Sequence, residues 1–298
     1  MTGRRGAPVT GQRETVGALL ARAAGRLAAA GIPAADREAE LLLEAAGGPD
    51  RGALVAARVE RTASLPAGTV DRFLELVARR EARVPLQHLL GKWPFLELDL
   101  RVDGRALVPR PETEDLALLA RERLAPGEPG PVADVGTGGG CIALALAAAR
   151  PALRVIALDR DPRALSLAAE NARETGLGGR VRLVRGDLLE PVRPGADLAL
   201  AVANLPYVRE DEWPSLPPEV RDHDPRDALV GGRDGLEPVR RLLAQAPARL
   251  RPRGRLLLEV APGQVSAAGA LLAGAGFREV AVHRDRFGRD RVVEGVRP

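Results

Sequence analysis

Apolar residues recur at helical spacing through the first quarter of the chain. Leu19, Leu20, Ala23 and Leu27 follow Glu14 in this way, and Gly31-Ile32-Pro33 closes the segment. A second helix is expected from about Ala35 through DREAELLLEAA to Gly47-Gly48, and a short third over about Gly52 to Val59. A fourth, TVDRFLELVARREAR, sets Phe73, Leu76, Val77 and Arg80 along one side. These elements predict a small helical bundle. The period then falls to two: in FLELDLRVDGRALV, Leu96, Leu98, Leu100 and Val102 alternate with Glu97, Asp99 and Arg101. That alternation predicts a hairpin whose turn is Asp103-Gly104.

After Pro131 short apolar runs take over: VADV, RVIALD, VRLVRGD, ADLALAVAN and GRLLLEV. Helical stretches such as IALALAAARP and PRALSLAAENARETG separate them. Strands alternating with helices predict an α/β fold with a mostly parallel sheet covered on both faces. REVAVH and RDRVVEGV, joined by Arg284 to Gly288, predict an antiparallel hairpin that closes the sheet.

Composition narrows the picture. At 298 residues with 45% hydrophobic and 28% charged side chains, the chain reads as globular. The net charge of +4 is small for this length, and Lys92 is the only lysine. Residues 1–85 hold 13 arginines against ten acids, without a dense basic run. Aromatics are 2%, so stacking platforms for bases are scarce, and stable nucleic acid binding is not expected. Cys141 is the sole cysteine, which excludes an intrachain disulfide and suits a reducing compartment. No signal-type apolar core and no membrane-spanning run of about 18 residues appears, so a cytoplasmic location and no membrane partner are expected. Residues 1–12 read as a flexible tail. His88, His223 and His283 stand apart without metal-ligand spacing, and no metal site is expected.

The chemistry concentrates in two loops. VADVGTGGGCIALALA places a glycine-rich turn, Gly136, Thr137, Gly138, Gly139 and Gly140, between a strand and a helix N-terminus with unpaired N–H groups. Asp134 precedes the turn, where an acid repels a pyrophosphate and suits a cation or an amino group. Asp159 ends the next strand, placed to hold two ribose hydroxyls, and Asp187, followed by Leu188, ends the third beside a position for adenine. Three acids at three consecutive strand ends fit S-adenosylmethionine, with its sulfonium and its amino group. Cys141 reads as a small packed residue, with no histidine near it in sequence.

The second loop, AVANLPYVRE, ends the fourth strand on an amide, a rigid turn and the only tyrosine. Asn204 offers an acceptor oxygen, and the backbone at Leu205-Pro206 offers a carbonyl. Together they can accept both hydrogens of a planar NH2 group against the ring of Tyr207. Such a nitrogen is a poor nucleophile because its lone pair is delocalised. Holding both hydrogens returns electron density to it and stabilises the charge that develops there.

Asn-X-Pro-Tyr after a class I methyltransferase sheet resembles the enzymes that methylate planar amino nitrogens. The rest of the chain is similar to the release factor glutamine methyltransferases (the PrmC/HemK family). The resemblance lies in VPLQHLLGKWPFLELDLRVDGRALVPRPETEDL, DVGTGGGCIALALA, DPRDALVGGRDGLEPVRRLL, GRLLLEVAPGQ and FGRDRVVEG, and runs from about Gly17 onward. It implies a Rossmann-like class I methyltransferase fold with a seven-stranded sheet at 111–298. A helical substrate-recognition domain at 13–84 and a β-hairpin linker at 85–110 would precede it. It implies S-adenosylmethionine as cofactor and class I peptide chain release factors as partners, the acceptor being the side-chain amide nitrogen of the glutamine in their Gly-Gly-Gln motif. A monomer is expected. Asn204, Pro206 and Tyr207 would be catalytic, and Leu205 would join them in binding substrate. The family usually carries Asn-Pro-Pro-Tyr, and here Leu205 replaces the first proline. An adenine-N6 methyltransferase acting on rRNA or DNA is the alternative.

Other residues keep two readings. Arg110 and Glu112 of RPETE either border the substrate pocket or belong to a helix N-terminus with Pro111 in its first turn. Phe95 either covers the substrate glutamine or packs under the hairpin. HDPRDAL, His223 to Leu229, is expected to form a loop over the site.

Overall fold

A computed structural model describes residues 14–50, 52, 53, 65–128 and 130–298. The tail at 1–12 and the helix expected at Gly52 to Val59, from residue 54 on, lie outside the described residues. The chain divides into two compact units, Met1–Leu90 and Gly91–Pro298.

In the first unit, α1 (Val16–Ala29) starts at Thr15, whose hydroxyl accepts from the Ala18 N–H at 3.2 Å. It stops where Gly31 turns left-handed and the Ile32 N–H reaches back to the Leu27 carbonyl. α2 (Ala35–Ala45), α3 (Ala67–Glu81) and α4 (Leu86–Leu90) follow, and Gly52 and Ala53, where the third helix is expected to start, are helical. Leu20, Leu27, Leu42, Leu43, Phe73 and Val77 fill its core. Arg80 shares the buried side of α3 because Glu38 of α2 meets its guanidinium at 2.6 Å.

The second unit opens with β1 (Lys92–Phe95) and β2 (Leu98–Arg101), an antiparallel pair. Their turn is Leu96-Glu97, not Asp103-Gly104 as the alternation predicts. Leu96 adopts a left-handed φ of 51°, and its N–H donates to Glu114 at 3.0 Å. The Asp103 carboxylate instead accepts from the Arg105 N–H, folding a local turn beyond the strand. Then follow α5 (Pro111–Arg123), β3 (Val132–Val135), α6 (Cys141–Ala149), β4 (Val155–Asp159), α7 (Pro162–Glu174), β5 (Val181–Arg185) and β6 (Leu198–Asn204). The chain ends with α8 (Pro218–Arg221), α9 (Glu237–Gln245), β7 (Leu250–Glu259), α10 (Val265–Gly274), β8 (Arg278–Arg284) and β9 (Asp290–Val296).

The seven strands lie in the order β5-β4-β3-β6-β7-β9-β8, parallel through β7, with β9 alone running antiparallel between β7 and β8. β6 is apolar up to its last residue, Asn204, because both its faces are covered. Leu200 and Val202 join the core with α5 and α6, while Leu198, Ala201 and Ala203 join the core with α9 and α10. The register sets Asn204 beside Glu259 and Asp159 beside Arg185, so the polar strand ends collect along one edge.

Candidate active site

A cleft opens at that edge. It is lined by Gly136 to Gly139, Asp159, Asp187, Leu188, Asn204, Leu205 and Pro206, with Arg110 and Thr113 from the start of α5. The two chemical loops singled out from sequence therefore share one cavity. Asp134, Gly140, Phe95, Glu112 and Tyr207 stand outside its lining. Phe95 is buried in the core with Leu100 and Leu116. Glu112 meets Arg289 at 2.6 Å, and Arg286 binds Asp115, so the β8–β9 connection braces the first turn of α5. Burial, followed by the charge of Glu259, pushes the Tyr207 phenol up to about 12.

The glycine turn is built for a ligand to approach backbone. Gly136 has φ 74°, and a Cβ there would lie 3.0 Å from Leu205 Cδ2. Its N–H and that of Thr137 donate to the Leu158 carbonyl at 2.9 and 2.8 Å, seating the turn on the end of β4. Asp159 accepts from the Gly138 and Asp161 N–H groups, both at 2.9 Å, so its carboxylate is fixed at the cleft. Burial raises its pKa against those hydrogen bonds. Asp134 Oδ2 accepts from Thr137 Oγ1 at 2.6 Å and from the Ala143 N–H at 3.0 Å, while Oδ1 is buried without a partner. Burial pushes this carboxyl up to about 7. Burial first, then Asp134, holds the Cys141 thiol far above its usual range, which keeps it protonated and unsuited to nucleophilic attack. Asp187 is paired with Arg241 of α9. Leu188 takes a left-handed φ of 54° beside it.

Asn204 is held from behind. Its Nδ2 donates to Thr113 Oγ1 at 2.9 Å, and Thr113 Oγ1 donates to Glu259 Oε2 at 3.0 Å. The acceptor Oδ1 is thereby left for the cleft. The loop after Asn204 is pinned by Gln264, whose Nε2 donates to the Tyr207 carbonyl at 2.8 Å and to that of Asp234 at 3.0 Å. Val208 bridges Val230 in parallel, laying residues 206–208 along the VGGRDG segment. Arg110 donates to Asp224 at 3.1 Å, and burial, offset by Arg110, pushes the Asp224 carboxyl up to about 6. Asp224 and Asp227 fall within the HDPRDAL segment, and Asp227 and Ala228 line the cleft.

Sequence reasoning did not single out Thr113, Glu259, Gln264 or Asn171. Asn171 accepts from the Arg101 N–H at 2.7 Å and donates to the Gly139 carbonyl at 2.9 Å, tying β2 to the glycine turn. A polar residue closing an otherwise apolar central strand, Glu259 in RLLLEV, was the available signal.

The residues fit S-adenosylmethionine. Asp159 lines the cleft with its carboxylate fixed by two backbone N–H groups, where it can accept from a ribose diol, the glycine turn admits backbone contact, and the orphaned Asp134 oxygen, buried behind the turn, marks a place for an ordered water. Residues 132–223 match a methyltransferase domain and residues 18–91 the PrmC N-terminal domain. A solved methyltransferase from Pyrococcus furiosus shares the fold at a TM-score of 0.53 and 19% identity, covering 74% of this chain and 98% of that one. Strand order and site define a class I methyltransferase using S-adenosylmethionine. A release factor glutamine methyltransferase from Moorella thermoacetica is 44% identical over 91% of this chain and 95% of its own. One from Deinococcus radiodurans is 43% identical over 94% and 97%. The chain belongs to the release factor glutamine methyltransferase family.

Proposed function

We propose that the protein methylates the side-chain amide nitrogen of the glutamine in the Gly-Gly-Gln motif of class I peptide chain release factors. The observation that carries this reading is the commitment of Asn204 Nδ2 to Thr113, which leaves an oxygen acceptor at the cleft. Asn204 Oδ1 and the Leu205 carbonyl accept the two amide hydrogens, Pro206 packs beside them, and Tyr207, outside the cleft lining, anchors the loop through the Gln264 bond to its carbonyl. S-adenosylmethionine, held by Gly136 to Gly139, Asp159, Asp187 and Leu188, supplies an electrophilic methyl carbon, while Asp134 and Gly140, outside the cleft lining, shape the turn from behind. Accepting both hydrogens raises electron density on nitrogen and stabilises its developing positive charge. No strong base is required, because the methylated nitrogen loses a proton readily to water.

Phe95 lies in the core, so its place in this reading is to support the hairpin. Arg110 borders the substrate, and Glu112 acts through Arg289 to steady the turn that carries Arg110 and Thr113. The helical residues 13–84 contact the release factor, residues 85–110 link, residues 111–298 carry the chemistry, and the enzyme works as a cytoplasmic monomer. The wild-type enzyme with labelled S-adenosylmethionine should transfer label to purified release factor and none to rRNA or DNA. Transfer to nucleic acid that weakens steeply with salt would replace this reading with the adenine alternative.

A further inference from the structure

We infer that Thr113 and Glu259 are positioning residues that fix which way the Asn204 amide faces. The inference rests on the reading that Asn204 Oδ1 receives the substrate amide, and it names what makes that orientation single. An asparagine side chain is nearly symmetric in shape. Turned over, it would present NH2 to the substrate NH2, two donors facing each other. Something must therefore forbid the flip.

The three side chains form a directional relay. Glu259, as a carboxylate, only accepts. The Thr113 hydroxyl hydrogen is drawn to it, with Oγ1 to Oε2 at 3.0 Å. Thr113 Oγ1 can then only accept at its other side, and the group there at 2.9 Å is Asn204 Nδ2. Thr113 is 3% exposed and Glu259 2%, so water does not offer a substitute partner. The ends of the relay are neighbours in the sheet, since Asn204 of β6 is in register with Glu259 of β7. Thr113 descends on both from the first turn of α5.

The relay is polarised only while Glu259 is ionised. A protonated Glu259 could itself donate to Thr113 Oγ1, freeing the hydroxyl and loosening the amide. Burial pushes the Glu259 carboxyl up to about 7, against the Thr113 hydrogen bond and the positive charge of Arg291 on β9. Glu112 and Asp115 on α5 raise it further. Tyr207 on the loop after β6 and Cys141 at the start of α6 also face it, both neutral near pH 7. The Asn204 amide should therefore be held firmly above about pH 7 and loosened below it.

The test reads the amide itself and then turnover, on the full chain. Nitrogen-15 spectra should show the Asn204 side-chain NH2 shifting with a midpoint near pH 7, assigned by its loss in Asn204→Ala. Glu259→Gln should abolish that step, and Thr113→Val should move the resonance. With release factor as substrate, Thr113→Val should lower kcat about 10- to 100-fold with cofactor affinity within about threefold, and Thr113→Ser should restore kcat to within about threefold. An Asn204 resonance indifferent to pH and to Glu259→Gln overturns the inference. So does Thr113→Val turning over like wild type. If Thr113→Val misfolds, the wild-type and Glu259→Gln spectra decide alone. Wild-type enzyme that transfers nothing to release factor would sink the substrate reading, and the spectra would still judge the relay.

Discussion

Asn204 is the residue on which substrate and scaffold meet, and its removal separates binding from transfer. Asn204→Ala deletes the acceptor without touching Asp159 or the glycine turn. Methyl transfer should fall below detection while cofactor affinity, read by calorimetry, stays within about tenfold. Turnover unchanged in that variant would refute the assigned role. Leu205 raises a different question, because a proline would fix φ there and leucine does not. The structure supplies stiffness by packing: Leu205 is 4% exposed within the core that includes Ala203 and Val260, and its side chain closes on Gly136. Leu205→Ala should cost about 2–4 kcal/mol in denaturant unfolding. It should also lower cofactor affinity, because the glycine turn loses its backing.

The elements around the site were unequally legible. The strands VADV, RVIALD and ADLALAVAN emerge from sequence because central parallel strands are covered on both sides and read as unbroken apolar runs. The first hairpin was misplaced by seven residues because Asp103-Gly104 has turn chemistry but folds a local Asx turn, whereas Leu96-Glu97 turns only with help from Glu114 across 18 positions. The relay behind Asn204 was invisible for the same reason. Asn204 to Thr113 spans 91 positions and Thr113 to Glu259 spans 146, distances that no local pattern encodes. The VGGRDG segment now has a physical role. A Cβ on Gly235, at φ 73°, would sit 2.1 Å from the Tyr207 carbonyl oxygen. Gly235→Ala must therefore push the Tyr207 loop away from Gln264. We expect about 1–3 kcal/mol of lost stability and a larger proportional loss of kcat than of cofactor affinity. Equal activity in that variant would show that the loop's seat is not needed for catalysis.

Across the whole molecule, the site is kept at the expense of stability. Asp134 rises from 3.8 to about 7 and Glu259 from 4.5 to about 7, each chiefly by burial. A raised carboxyl binds its proton more tightly folded than unfolded. Its favourable contribution is complete below the unfolded pKa and is lost as pH climbs through the folded one. Stability should therefore decline between about pH 4 and pH 7, while the Asn204 relay strengthens over the upper part of that range. Asp134→Asn and Glu259→Gln should each melt roughly 3–10 °C above wild type at pH 8 and close to it near pH 4. Variants that melt below wild type at pH 8 would mean that these carboxylates are satisfied when charged. The central claim concerns geometry, and a structure of the enzyme with a release factor and S-adenosylhomocysteine tests it most directly. The account predicts the substrate glutamine amide nitrogen about 2.7–3.2 Å from both Asn204 Oδ1 and the Leu205 carbonyl oxygen, facing the cofactor sulfur. A glutamine bound elsewhere, or an Asn204 oxygen turned toward Thr113, would contradict it.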